Sequence, residues 1–238
     1  MRHMVLTALL CLASEAQAAE ISFTTEEYPP YSYRQGDRYF GIGVEQIQAM
    51  MKDAGLQYDM EMMPWARAYA TAQTQSRHCV FAAAHIAERD GLFKWVEPLL
   101  IDRNILVSRQ GADIKVTKLE DARQYTIGTQ RGDYTANLLK EKGFAKIDLA
   151  ADFSLTLKKL LSERIELMPM SQNVYTELRK QGTPIEEVMV FSEQKLGIAC
   201  HKDVDDATID KMQKALDMLI ADGRQDKIFI KYGMQPSR

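Results

Sequence analysis

The stretch CVFAAAHIAERDGLFKWVEPLL, residues 79–100, begins as an unbroken apolar run and then turns abruptly polar. A short apolar run of this kind reads as a buried strand. Directly after it come the charged pair Glu88 and Arg89, then Trp95 and Pro98. An arginine at the mouth of a buried strand is either a solvated cap or a clamp for an anion. The elements around it have to decide.

Working outward, EISFTT (20–25) reads as a strand, and VEQIQAMMKDAG (44–55) sets Val44, Ile47, Met51 and Ala54 at helical spacing before stopping at Gly55. YDMEMM (58–63) alternates and ends at Pro64, and WARAYATAQT (65–74) is an alanine-rich helix leading to CVFAAA. This β-α-β-α-β order predicts a mostly parallel sheet with helices on its faces. A second series starts near Asn104. It runs through YTIGT (125–129), the helix DYTANLLKEKG (133–143), KIDLAA (146–151), the helix SLTLKKLLSE (154–163), IELMPM (165–170) and the helix SQNVYTELRKQG (171–182). Two strands, EEVMVF (186–191) and LGIACH (196–201), then lead to a helix over 207–222, with Ile209, Met212, Leu216 and Leu219 as its stripe and Gly223 as its stop. Two α/β series in succession predict two lobes, and with no low-complexity linker between them, strands must carry the chain across. In open α/β sheets ligands bind beyond the carboxyl ends of the strands. Those ends here are TTEEYPPY (24–31), MPWAR (63–67), AHIAER (84–89), GTQRGDY (128–134) and MPMSQN (168–173), five loops converging on one cleft.

The chain has 238 residues, 46% of them hydrophobic, with 30 basic residues against 33 acidic ones. The near balance and the absence of any basic run argue against a nucleic-acid partner. Residues 1–18, MRHMVLTALLCLASEAQA, have the order of an export signal: a basic start at Arg2 and His3, an apolar core from Met4 to Ala13, and Ala16-Gln17-Ala18 as a cleavage site. That core is about half the roughly 20 residues a spanning helix needs. The mature chain would begin at Ala19 and retain Cys79 and Cys200, a candidate disulfide in an oxidising compartment. The pairs His78-Cys79 and Cys200-His201 do not make a metal site, because neighbours on a strand point to opposite faces.

YPPYSY (28–33) followed by FGIGVEQIQAMMKDAGL (40–56), MPWARAYATAQ (63–73) and ERDGLFKWVEPL (88–99) look like the successive signatures of the bacterial extracellular solute-binding proteins of family 3. The segment 196–233 is similar to that family's C-terminal signature, with Lys202, Leu216, Gly223, Ile228, Tyr232 and Gly233 in place. The resemblance covers the whole mature chain. It implies a two-lobed type II periplasmic binding fold, each lobe a mostly parallel sheet flanked by helices, joined by two crossover strands and closing over a ligand. Lobe 1 would comprise residues 19–103 plus 192–238, and lobe 2 residues 104–191. In that topology residue 79 lies beside residue 200, so the resemblance implies a Cys79–Cys200 disulfide.

The same resemblance implies roles for residues. Arg89 takes the place of the arginine that forks onto a ligand's carboxylate, and its guanidinium suits that task. Tyr28 and Trp65 align with two aromatics that sandwich a ligand side chain, with Tyr31 either assisting or structural. Arg67, in the first turn of a helix where a cation opposes the dipole, is either a second anion contact or the partner of a surface acid such as Glu61. Gly132, Asp133 and Tyr134 open a helix whose N–H groups could receive a carboxylate, although Asp133 is equally suited to capping it. Where amino-acid receptors carry an aspartate for the ammonium, this chain has Ser171 or Gln172. Asp133, Glu26 or Glu27 must then substitute, or the ligand has no α-ammonium. His85 either lines the cleft or fills the strand-end turn.

The functional expectation is a periplasmic, monomeric receptor without cofactor or metal, capturing a small carboxylate-bearing solute, an amino acid or relative, for the membrane permease of an ABC importer. No catalytic motif of the common kinds is present. Two alternatives stay open: an enzyme on the same fold, similar to the cyclohexadienyl dehydratases, which needs a buried acid with a raised pKa, and a sensory receptor.

Overall fold

A computed structural model describes residues 21–235, so the export-signal reading of residues 1–18 lies outside the described residues. The first half contains β1 (Ile21–Thr25), a small hairpin of β2 (Tyr33–Gln35) and β3 (Arg38–Phe40), α1 (Ile42–Ala54), β4 (Tyr58–Met62), α2 (Trp65–Thr74) and β5 (His78–Ala84). One helical turn, α3 (Ala87–Asp90), precedes the long β6 (Lys94–Arg109). The second half follows: α4 (Leu119–Ala122), β7 (Ile127–Gln130), α5 (Tyr134–Glu141), β8 (Ile147–Ala150), α6 (Phe153–Leu161), β9 (Met168–Ser171) and α7 (Gln172–Lys180). The chain returns along β10 (Ile185–Cys200) and closes with α8 (Asp206–Ala221) and α9 (Arg224–Lys231).

One sheet runs β4-β1-β5-β10-β6-β9. The pairings of β1 with β4 and β5 are parallel, while β10 is antiparallel to both β5 and β6. In the second half β9 pairs antiparallel with β6, and β7 pairs parallel with β8 and bridges Ile127 to Leu167 beside β9. The two crossing strands, β6 and β10, have 16 residues each and are paired from Ile185–Arg109 to Cys200–Lys94. They are shared by both halves. The expected mostly parallel sheets are therefore parallel at their outer strands and antiparallel where the chain crosses.

β10 replaces the two separate strands expected over 186–191 and 196–201. The intervening Ser192-Glu193-Gln194-Lys195 is polar, which reads as a break, yet it pairs with Asn104 to Ile101 throughout. Its side chains lie between the two cores, so the ladder continues without an apolar pattern to mark it.

Each half buries its own core. In the first, Ile21 and Phe23 of β1 meet Val44, Ile47, Met50 and Met51 of α1, and these pack on Met212, Leu216 and Leu219 of α8. In the second, Ile105 and Val107 of β6 pack with Leu160, Ile165, Met168 and Met170. Removing a fully buried leucine such as Leu216 from such a core costs about 2–5 kcal/mol. Gly41 has to be glycine: its φ is +123°, and a Cβ there would lie 2.4 Å from the Tyr31 carbonyl oxygen. This close approach seats the loop carrying Tyr28 and Tyr31 against the start of α1. Cys79 and Cys200 are cross-strand partners on β5 and β10 and form the disulfide.

Candidate functional site

The carboxyl ends of β1, β5 and β7 and the first residues of β9, Met168 and Pro169, meet around a cavity of about 70 Å³, room for on the order of five waters. Its walls include Glu26, Tyr28, Tyr31, Trp65, Ala84 and Arg89 from the first half, Asp102 and Asn104 from β6, and Gln130, Asp133, Tyr134 and Phe153 from the second.

Arg89 is 5% exposed, on the single turn α3. One guanidinium nitrogen donates to the Ala84 carbonyl at 3.3 Å and another to the Gly132 carbonyl at 3.2 Å. The group lies 4.7 Å from the Tyr69 ring centre and 5.9 Å from that of Trp65, within range of attraction by the ring faces. Among the described residues no carboxylate pairs with it. Trp65 starts α2 and donates its indole N–H to the same Gly132 carbonyl at 2.9 Å. Gly132 thus enters through its oxygen, and its φ of +75° beside the Ala66 Cα suits glycine.

Tyr28 and Tyr31 stack at 5.7 Å, and Phe153 meets Tyr28 edge-on at 4.7 Å. Tyr28 and Trp65 face the same cavity. Tyr31 belongs to a buried network. Its hydroxyl donates to Asp102 Oδ1 at 2.6 Å and accepts from Asn173 Nδ2 at 3.0 Å. Ser171 Oγ donates to the same Asp102 oxygen at 2.6 Å, and Asn104 Nδ2 donates to Oδ2 at 2.7 Å. The Ser171 amide donates to the Tyr28 hydroxyl. Burial pushes the Asp102 pKa up to about 6, against the pull of its donors Ser171, Tyr31 and Asn104.

Glu26 accepts from Gln130 Nε2 at 3.1 Å. Loss of hydration, followed by the charge of Asp133, drives its pKa to about 8, with the Gln130 bond opposing. Gln130 is 7% exposed and its Oε1 has no hydrogen-bond partner. Asp133 is the cap of α5, accepting from the Thr135 N–H at 2.8 Å. Tyr134 lines the cavity with its hydroxyl 3.2 Å from Ser192 Oγ.

The structure thus brings together Arg89, Tyr28, Trp65, Tyr31, Asp133 and Tyr134, with Gly132 at the rim and Ser171 behind Asp102. It does not bring Arg67 or Gln172. Arg67 is exposed and makes no side-chain hydrogen bond or ion pair among the described residues, with Glu61 or any other acid; two positions from Trp65 on a helix is the opposite face. Gln172 begins α7 outside the cavity wall, and Glu27 is exposed. His85 is held between Glu97 and Asp90 and stacks on Trp95, filling the turn. Asp102 and Gln130 were not legible as site residues. Among the described residues no group of three or more His, Cys, Asp or Glu is placed to hold a metal ion, and no helix is long and apolar enough to cross a membrane.

Residues 21–235 match the pattern of the bacterial extracellular solute-binding proteins, family 3. The chain belongs to that family. Among curated relatives, the "Probable amino-acid-binding protein YxeM" of Bacillus subtilis (strain 168) is 23% identical over 221 residues, covering 89% of this chain and 82% of the relative. Two solved structures share the fold of this family 3 chain. A histidine kinase sensor domain with similarity to periplasmic binding proteins superposes with a TM-score of 0.83 at 18% identity, covering 91% of this chain and 97% of that one. ArtJ of Geobacillus stearothermophilus, an arginine-, lysine- and histidine-binding protein, does so with a TM-score of 0.82 at 21% identity, covering 91% and 96%. The fold is the two-lobed type II periplasmic binding fold.

Proposed function

We propose that this family 3 protein is an exported receptor for an amino acid with a cationic side chain, acting in the periplasm and delivering its solute to the permease of an ABC importer. Residues 19–103 with 192–238 form one lobe and 104–191 the other, closing on the ligand as a monomer without a cofactor. The observation that carries this reading is the charge of the cavity. Arg89 is buried and among the described residues no carboxylate pairs with it, while Asp102 and Asp133 line the same cavity and Glu26, protonated at neutral pH, would ionise against an approaching cation. A buried charge without a partner is costly, and a ligand with one carboxylate and cationic groups meets both needs. Its carboxylate would replace the Gly132 carbonyl on Arg89, and its aliphatic stem would lie between Tyr28 and Trp65. The arginine, lysine and histidine bound by ArtJ agree with a basic solute.

Calorimetric titration of the mature protein with L-arginine, L-lysine, L-histidine and L-glutamine, and with agmatine, which lacks the carboxylate, tests this. Basic amino acids should bind, agmatine should bind at least 100-fold more weakly, and Arg89→Ala should abolish the difference. Equal binding of agmatine and arginine overturns the reading. The raised pKa of Glu26 favours a second reading, an enzyme using Glu26 as a general acid; recovery of chemically unaltered ligand after prolonged incubation excludes it. The sensor domain of similar fold keeps a membrane sensor as a rival to the importer, and co-purification from membranes distinguishes the two partners.

A further inference from the structure

Asp102 is 4% exposed, lines the cavity, and is ionised in large part at neutral pH. Three neutral donors hold its carboxylate: the Tyr31 hydroxyl, Ser171 Oγ and Asn104 Nδ2. No cation pairs with it among the described residues. Oδ1 receives two of the donors and Oδ2 only one, which leaves Oδ2 with acceptor capacity. The donors come from the loop after β1, from β6 itself and from the end of β9, so both halves contribute to fixing this one acid.

Position separates Asp102 from the other acids. Leu196 of β10 is the cross-strand partner of both Ala84 and Leu100, so Asp102 lies two strands over, roughly 10 Å, and two residues along from the Ala84 that anchors Arg89. Tyr134, on the same cavity wall, feels the charges of Asp133, Asp102 and Arg89. Glu26 lines the same cavity but stands after β1, and its carboxyl is pushed up to about 8 by burial and by the charges of Asp133 and Asp152. A zwitterion needs a cation and an acid in one cavity, and Arg89 and Asp102 line the same one.

We propose that Asp102, on crossing strand β6, is the counter-charge for the ligand's α-ammonium, standing directly in front of Ser171, a position that itself carries no acid. This rests on the amino-acid reading above and assigns the ammonium subsite within it. Because β6 runs through both halves, the acid is fixed in place and is not carried in by either one.

The test compares L-arginine with 5-guanidinopentanoate, the same molecule without its α-ammonium, on wild type, Asp102→Asn, and Asp102→Asn combined with Ser171→Asp. Asparagine keeps an acceptor for Tyr31 and Ser171. Asp102→Asn should weaken arginine at least 100-fold while changing 5-guanidinopentanoate less than about threefold, and the added Ser171→Asp should restore part of the arginine affinity. Equal losses for both probes, or no loss for either, overturn the proposal. If Asp102→Asn does not fold, the wild type decides by pH. Arginine affinity should fall relative to 5-guanidinopentanoate as pH drops through about 6, while titration of Glu26 affects the guanidinium common to both probes. Parallel curves overturn the proposal. Failure of wild type to bind arginine or the other amino acids removes the underlying reading and this inference with it.

Discussion

Helices α1 and α2 of the first half begin differently from α5, α6 and α7 of the second. In the first half, α1 starts at Gly41 and α2 at Pro64, neither with a side-chain cap. In the second, α5, α6 and α7 start at Asp133, Asp152 and Ser171, and each side chain accepts a backbone N–H from its own first turn. A capped helix has already met part of its demand for an acceptor. The second half therefore turns one acid, Asp133, toward the cavity, where free N–H groups would have welcomed an anion. The first half supplies the one buried guanidinium, Arg89. The cavity thus carries a buried cation and several acids, and on the proposed reading a ligand with charges at both ends would be oriented by them.

The largest expected effect separates the stability of the first half from binding. Replacing Cys79 and Cys200 by serine opens a loop of 121 residues, and should cost about 3–4 kcal/mol of stability, read as a lower midpoint in urea. Arginine affinity measured well below that midpoint should hardly change; a large loss would mean that the first half does not hold its site geometry unaided.

Next comes Glu26. Its pKa in the folded protein is about 8, against an ordinary 4.5. The folded state then holds a proton that the unfolded chain has released between those values, so stability falls as pH rises from about 5 to about 8. The full shift corresponds to at most about 5 kcal/mol, and less where the halves part and water returns to the carboxyl. Glu26→Gln should flatten thermal midpoints measured from pH 5 to 9, and an unchanged slope would place the titrating group elsewhere.

Asp133 tests the caps themselves. Asp133→Ala should cost about 1 kcal/mol, whereas Asp133→Asn preserves the cap and costs a few tenths. Both should weaken arginine more than glutamine if the charge, and not the cap, meets the ligand. The smallest effect belongs to Arg67→Ala, expected within about 0.5 kcal/mol of wild type in stability and without effect on arginine titrations.

The fold was legible because its elements announce themselves locally. CVFAAA and the apolar spacing of α1 each need only a dozen residues to be recognised. The continuous β10 was not legible, since Ser192 to Lys195 carry no apolar alternation and are held by pairing with a strand some 90 residues earlier in the chain. The hairpin of β2 and β3 is too short and too exposed for periodicity to find. In the site, Arg89 and Trp65 stood in recognisable segments. Asp102 lies 71 residues from Tyr31 and 69 from Ser171, so no spacing could join them. One faint signal existed: Asp102 and Asn104 interrupt an apolar strand on the same face. Arg67 lies outside the cavity wall, as its offset of two from Trp65 on the helix already implied.

The carbonyl of Gly132 has a further consequence. It takes the same guanidinium that a solute's carboxylate would take, and it receives the Trp65 indole as well. The backbone is thus an intramolecular competitor for its own binding site. Molecules folded onto that oxygen are withdrawn from capture, so the apparent dissociation constant exceeds the intrinsic one by the inverse of the competent fraction. On the proposed reading, a single peptide oxygen would in this way raise the solute concentration at which the protein begins to respond to its surroundings.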